Sequence, residues 1–212
     1  MHENGEPLPD GQWKWHGGLR AGHKIIGFPN NADCILIIDC QTSRVYTVAD
    51  ASILRSGRHR IPQDDGYKYL GGALTLDGKF AFLFPCDAEQ VLRIDCETDE
   101  LALVGPLLLD GSNKFQNGFV GRDGCLYGIP QRATGVLCIH PPETRIVGDG
   151  KVVVVDETAE HIDIIDCGPE LAGVKEKFEG GVLGADGCIY CIPLRCRVCV
   201  KIVPGDAKCI GS

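Results

Sequence analysis

Short apolar runs recur along the chain, each about strand length and each closed by glycine, proline or an Asp-Gly pair. ILII, VLRI, VVVV and VCVKIV are rich in β-branched residues and too short for helices, so they predict strands. The first unit reads as four of them, around Trp15–Arg20, Lys24–Phe28, Cys34–Ile38 and Arg44–Val48, joined by tight turns.

The pattern repeats. Four copies of one sentence open at Lys14, Lys68, Lys114 and Lys177, each a lysine followed by an aromatic: Trp15, Tyr69, Phe115 and Phe178. Gly17-Gly18, Gly71-Gly72, Asn117-Gly118 and Gly180-Gly181 come next. Three copies then turn through Asp77-Gly78, Asp123-Gly124 and Asp186-Gly187, the dipeptide that best tolerates a hairpin's positive φ. Every copy reaches a proline (Pro29, Pro85, Pro130, Pro193), then an apolar run ending at Asp39, Asp95, His140 or Val203. The second glycines are spaced by 54, 46 and 63 residues. The extra length falls in 49–66 and in 148–160, after which HIDIID (161–166) completes the third unit.

A four-stranded sheet with both faces apolar cannot stand alone in water, and stacking such sheets about an axis covers both faces. The expected fold is therefore all-β: one β-propeller over 1–212, of four antiparallel four-stranded blades of about 45–60 residues. The units run approximately 5–57, 58–104, 105–167 and 168–212. The Gly-Gly strand is innermost, where backbones approach too closely for side chains, and the aromatic wedges between neighbouring sheets. Three arrangements follow: the chain closes by itself, pairs with a second copy into eight blades, or joins a longer ring. Because both ends fall at a unit boundary, closure by itself is the first expectation.

The unit K-aromatic-x-G-G-V-xxx-D-G-x-I-Y-x-I-P, followed by V-L-x-I-D, resembles a propeller-type repeat of protist proteins. More distantly it is similar to NHL, streptogramin-lyase and SMP-30 propellers. The resemblance covers nearly the whole chain, implies the propeller, and implies a binding or scaffolding role. The sequence departs from the pattern at Asn117, at the shortened Gly22-His23 turn and at Val203.

A net charge of −8 with no run of like charge argues against nucleic acid and anionic membranes as partners. No apolar run is long enough to span a bilayer, and the polar, acidic start lacks the features of a secretory signal, so the expected compartment is cytoplasmic or nuclear. The 12 cysteines include Cys188-x2-Cys191-x4-Cys196-x2-Cys199, a zinc-like spacing. Both pairs fall in predicted strands, where i and i+3 point to opposite faces, and sibling copies carry Ala, Gly and Val there. Buried reduced thiols are the expectation.

Candidate chemistry is sparse. Lys14, Lys114 and Lys177, with Lys68, either ring a channel mouth and attract anions or brace turns. Asp39 and Asp95 read as turn caps. The position between aromatic and glycine varies (His16, Leu70, Gln116, Glu179), which makes His16, Gln116 and Glu179 candidate channel ligands for a small polar molecule. Arg55, Arg58, His59 and Arg60 form a basic loop able to dock an acidic partner. No catalytic constellation, cofactor motif or metal-ligand set is assigned. The expected function is a non-enzymatic binding or scaffold propeller, monomer or homodimer, recognising a protein or small ligand through rim loops or channel. A metal-dependent lyase or lactonase is the alternative, and a repeat module of a larger or engineered propeller is a third.

Overall fold

The computed structural model describes residues 7–54, 67–109, 111–148 and 150–205, with the backbone of 209–211. Arg55, Arg58, His59 and Arg60 lie outside the described residues. Sheet 1 contains β1 (Trp15–Ala21), β2 (Lys24–Pro29), β3 (Ile35–Asp39) and β4 (Arg44–Val48). Sheet 2 contains β5 (Tyr69–Leu74), β6 (Phe80–Pro85), β7 (Val91–Asp95) and β8 (Leu101–Val104). Both are antiparallel meanders.

Sheet 3 starts in the same way with β9 (Phe115–Val120), β10 (Leu126–Pro130) and β11 (Gly135–His140). A separate hairpin of β12 (Glu143–Ile146) and β13 (Val152–Asp156) then intervenes before β14 (His161–Asp166) pairs with β11. The HIDIID segment thus completes sheet 3 as expected. Within the 148–160 insertion the valine run forms a strand, as its β-branched residues predict, and its partner is 143–146 in a hairpin outside the four-stranded sheet. The hairpin folds back on sheet 2: Thr144 donates to the Asp77 carboxylate, Lys151 lies 3.4 Å from Glu97, and Arg93 lies 2.8 Å from Glu160. Sheet 4 contains β15 (Phe178–Leu183), β16 (Ile189–Pro193), β17 (Val200–Ile202) and β18 (Cys209–Gly211). Among the described residues no helix is long and apolar enough to cross a membrane.

The turns follow from their residues. The carboxylates of Asp77, Asp123 and Asp186 accept from the N–H groups of Lys79 (2.9 Å), Cys125 (3.3 Å) and Cys188 (3.1 Å), and the next glycine takes a positive φ of 74°, 85° and 75°. Asp39 and Asp95 cap turns in the same manner: Asp39 accepts from Gln41 and Thr42, Asp95 from Glu97 and Thr98.

The first strands stack in chain order, β1 on β5, β5 on β9 and β9 on β15. Ile26, Phe28 and Ile37 of sheet 1 bury against Tyr69 and Leu83 of sheet 2. Phe82 and Phe84 meet Phe115 and Leu126 of sheet 3, and Tyr127 and Ile129 meet Phe178, Ile189 and Cys191 of sheet 4. Tyr69, Phe115 and Phe178 do wedge between sheets, while Trp15, which has no preceding sheet, stays half-exposed. A Cβ at Gly71 would come within 2.5 Å of the Asn117 nitrogen, and one at Gly72 within 3.2 Å of the Phe28 ring, so the glycine pair is what lets two sheets meet. The described cysteines are free thiols, mostly buried. Cys191 is fully buried between sheets 3 and 4, and the Cys199 thiol donates to its carbonyl at 3.2 Å, so this pair packs the core.

Burial by itself would raise the Asp95 carboxyl, but the Lys79 ammonium at 2.6 Å and the N–H groups of Thr98 and Glu97 outweigh it and hold the group below its ordinary value. A depressed carboxylate contributes stability that is present above the unfolded value near 3.8 and is lost as pH falls through the native one. Asp95→Asn is therefore expected to lose stability at pH 7 and to show a shallower decline than wild type below pH ~4, read as melting temperature against pH.

Candidate functional site

Each sheet is latched to the one before it by its opening lysine. The Lys68 N–H donates to Asn30 of sheet 1 (3.3 Å), while its ammonium reaches the Ala32 carbonyl (2.8 Å) and the Asp33 carboxylate (2.6 Å). The Lys114 N–H donates to Cys86 of sheet 2 (3.0 Å). The Lys177 N–H donates to Gln131 of sheet 3 (2.8 Å), and its ammonium to Ala133 (2.9 Å) and Arg132 (3.3 Å). All three lysines are buried. Their own carbonyls accept from the loop after the proline in their own sheet, at Cys86, Gln131 and Leu194. One residue thus locks a sheet internally and fastens it to its predecessor. The ammonium groups of Lys68 and Lys177 donate to protein oxygens, and that of Lys114 donates to the Gly111 carbonyl, so each braces a turn.

Sheets 1 and 4 each carry half of a latch. The Lys14 carbonyl accepts from Asn30 and Ala32 as the repeat requires, yet its ammonium goes to Pro9 in the lead-in (3.0 Å), and both Lys14 and Trp15 are half-exposed. Ile25 is 38% exposed, whereas Ala81, Leu126 and Ile189 in the same register are 0%. At the other end, Ile192 is 46% exposed, while Phe84 and Ile129 in its register are 0% because the next sheet covers them. Val182 and Leu194 are exposed beside it.

His16 and Glu179 are exposed, and Gln116 accepts from the Gln131 amide at 2.9 Å. Among the described residues, neither cluster of metal-capable side chains includes His16 or Glu179. The insertion hairpin and sheet 2 enclose a cleft of about 720 Å³ lined by Lys79, Arg93, Asp95, Glu97 and Lys151, where each cation already faces a carboxylate.

One grouping escapes a linear reading. Cys125, Cys138, His140, His161 and Asp163 meet on sheet 3, on the face turned toward sheet 4, across β10, β11 and β14. Cys125 Sγ lies 3.2 Å from His140 Nδ1, Cys138 Sγ 3.5 Å from Nε2, and Asp163 Oδ2 3.7 Å from Nε2. The His140 and His161 rings stack at 3.9 Å. Burial pushes the Cys125 thiol up to about 12 and the Cys138 thiol up to about 11, so both are protonated at neutral pH and neither is a reactive thiolate. Burial, and then His161, hold His140 below its ordinary value.

No protein-family model and no curated protein matches the chain. Among solved structures, a catalytically inactive virginiamycin B lyase from Staphylococcus aureus with quinupristin superposes with a TM-score of 0.60 at 13% identity, covering 97% of this chain and 57% of that one. A streptogramin B lyase superposes with a TM-score of 0.56 at 14% identity over 92% and 53%. Kuenenia stuttgartiensis hydrazine synthase gives 0.60 at 11% over 99% and 51%. These likenesses support a propeller-type fold, and the chain spans only just over half the length of such structures.

Proposed function

We propose that the four sheets are consecutive blades of a β-propeller arc, and that the chain is a non-enzymatic binding module whose two open blade faces recognise each other in a second copy. The observation that carries this is the split latch. Sheet 4 offers the Leu194 carbonyl and the apolar Val182, Ile192 and Leu194; sheet 1 offers the Lys14 N–H and ammonium, Trp15, Ile25 and the glycine pair. These are the partners that meet at each internal junction, in the same register. Closure of the arc on itself would bury Lys14, Trp15 and Ile192 as their counterparts are buried.

Length argues for a second copy. A chain that covers 51–57% of larger propeller-type structures needs roughly its own length again to complete a ring. Two copies joined head to tail through a twofold axis make two identical junctions and leave no blade face wet. The ring would present His16, Gln116 and Glu179 twice around one axis, where a small polar ligand would bind. Sedimentation equilibrium tests the reading: the chain should run at twice 22.9 kDa. Ile192→Asp combined with Leu194→Asp should return it to a monomer that still unfolds cooperatively, with a melting temperature that no longer depends on protein concentration. A wild-type monomer at tens of micromolar, or a dimer indifferent to the double substitution, overturns it.

A further inference from the structure

The geometry points to a thiophilic metal site on sheet 3, formed by Cys125, Cys138 and His140 with an open fourth position, and suited to Zn2+. It is independent of how the ring is completed.

Three strands in register build it. Cys138 and His140 share a face of β11 because strand side chains alternate, and His161 and Asp163 share the same face of β14. Across the strands, His140 stands opposite His161 and Cys138 opposite Asp163, while Tyr127 of β10 stands opposite Cys138. Cys125, just ahead of β10, falls beside His140. Donors on a tetrahedral Zn2+ with bonds of about 2.0–2.3 Å stand about 3.5–3.8 Å apart. The thiols face opposite nitrogens of His140, Cys125 at Nδ1 (3.2 Å) and Cys138 at Nε2 (3.5 Å), and one ion takes only one of them. With a single imidazole nitrogen as donor the three ligand atoms lie within 4.8 Å of one another, and Nδ1 is the one that leaves Nε2 to Asp163, so the Cys138 thiol must swing toward the Nδ1 side.

The repeat does not require these residues. The corresponding places hold Lys24, Ile37 and Asp39 in sheet 1, Phe80, Arg93 and Asp95 in sheet 2, and Cys188, Lys201 and Val203 in sheet 4. Elsewhere the position is filled by apolar contact or by an ion pair such as Lys79–Asp95. Only sheet 3 brings two thiols and an imidazole together there. The thiols are buried, but a cleft of about 370 Å³ lined by Tyr127, Cys138, His140, Asp163 and Gly205 reaches the imidazole. A solvent-side ligand could therefore take the fourth position. Asp163, 3.7 Å from His140 Nε2, is placed to orient the ring from outside, the usual arrangement around a metal-bound histidine.

Binding balances simply. Zn2+ displaces the thiol protons of Cys125 and Cys138 and takes a lone pair from His140, so two protons leave per ion and the site is neutral. No oxidant or reductant takes part. The experiment uses the full chain, purified reduced and stripped with a chelator, then titrated with Zn2+ in weakly buffered solution and with Co2+ followed by absorbance. The expected result is one ion per chain, release of two protons per Zn2+, and a thiolate-to-cobalt charge-transfer band with intense tetrahedral d–d absorption. Cys125→Ser with Cys138→Ser should abolish the band, and Cys188→Ser with Cys199→Ser should leave it. Should the buried double variant fail to fold, His140→Gln at the half-exposed position serves in its place, with an expected loss of affinity of about 10-fold or more and an altered d–d spectrum. Absence of stoichiometric binding, binding without proton release, or a band that survives His140→Gln unchanged overturns the proposal.

Discussion

Replacing Phe84 by alanine is expected to lower the stability of the chain by about 3–5 kcal/mol, in the range for large buried aromatics. Ile192→Ala, in the same register two sheets further on, should cost about 1 kcal/mol or less where the chain is monomeric. The contrast follows from what covers each side chain. Phe84 is fully buried, with its ring set against the close approach at Gly118, and no larger residue at 118 would leave it room. Truncation leaves a cavity between two sheets whose backbones are already held at a fixed distance, so the site cannot collapse. Ile192 is 46% exposed, and its truncation removes little that water does not already reach. Urea denaturation of both variants at low protein concentration measures the difference. Equal losses would mean that the sheet 4 face is already covered within one chain. At higher concentration Ile192→Ala should reappear as weakened self-association.

The repeat was legible because its parts are local. Asp-Gly hairpins, paired glycines and prolines each fix a turn or a close approach within a few residues, so the strands Trp15–Ala21, Lys24–Pro29 and Arg44–Val48 lie close to where the pattern put them. The pairing of strand 152–156 was not legible, for the opposite reason. Its partner, 143–146, is polar and strand-like only once paired, and the hairpin is held by Thr144, Lys151 and Glu160 reaching sheet 2. The lysines were recognised as recurrent, but their work depends on carbonyls some 36–45 residues away, which no linear spacing reveals. The Cys–His cluster lay deeper still. Its signal was present in the alternations Cys138-x-His140 and His161-x-Asp163, and in His140 standing where two siblings carry Asp. Only the cross-strand register brings them together.

Lys177→Ala is expected to cost about 3 kcal/mol, because it both empties the volume of a buried stem and leaves the Ala133 and Arg132 carbonyls without their charged donor. Lys177→Met keeps the stem and should recover part of that loss. Lys14→Ala, at the uncovered end of the same pattern, should change monomer stability by no more than about 0.5 kcal/mol. The pH dependence separates the ammonium from its stem. Burial lowers the Lys177 pKa below 10.5, so the native state sheds this proton at a lower pH than the unfolded chain does. Between the two values the unfolded chain holds more protons and stability rises with pH. Wild type should therefore gain on Lys177→Met as pH climbs toward 10.5, in denaturation curves collected at successive alkaline pH values. A gap that stays constant would mean that the stem, and not the charge, is what the junction between sheets 3 and 4 uses.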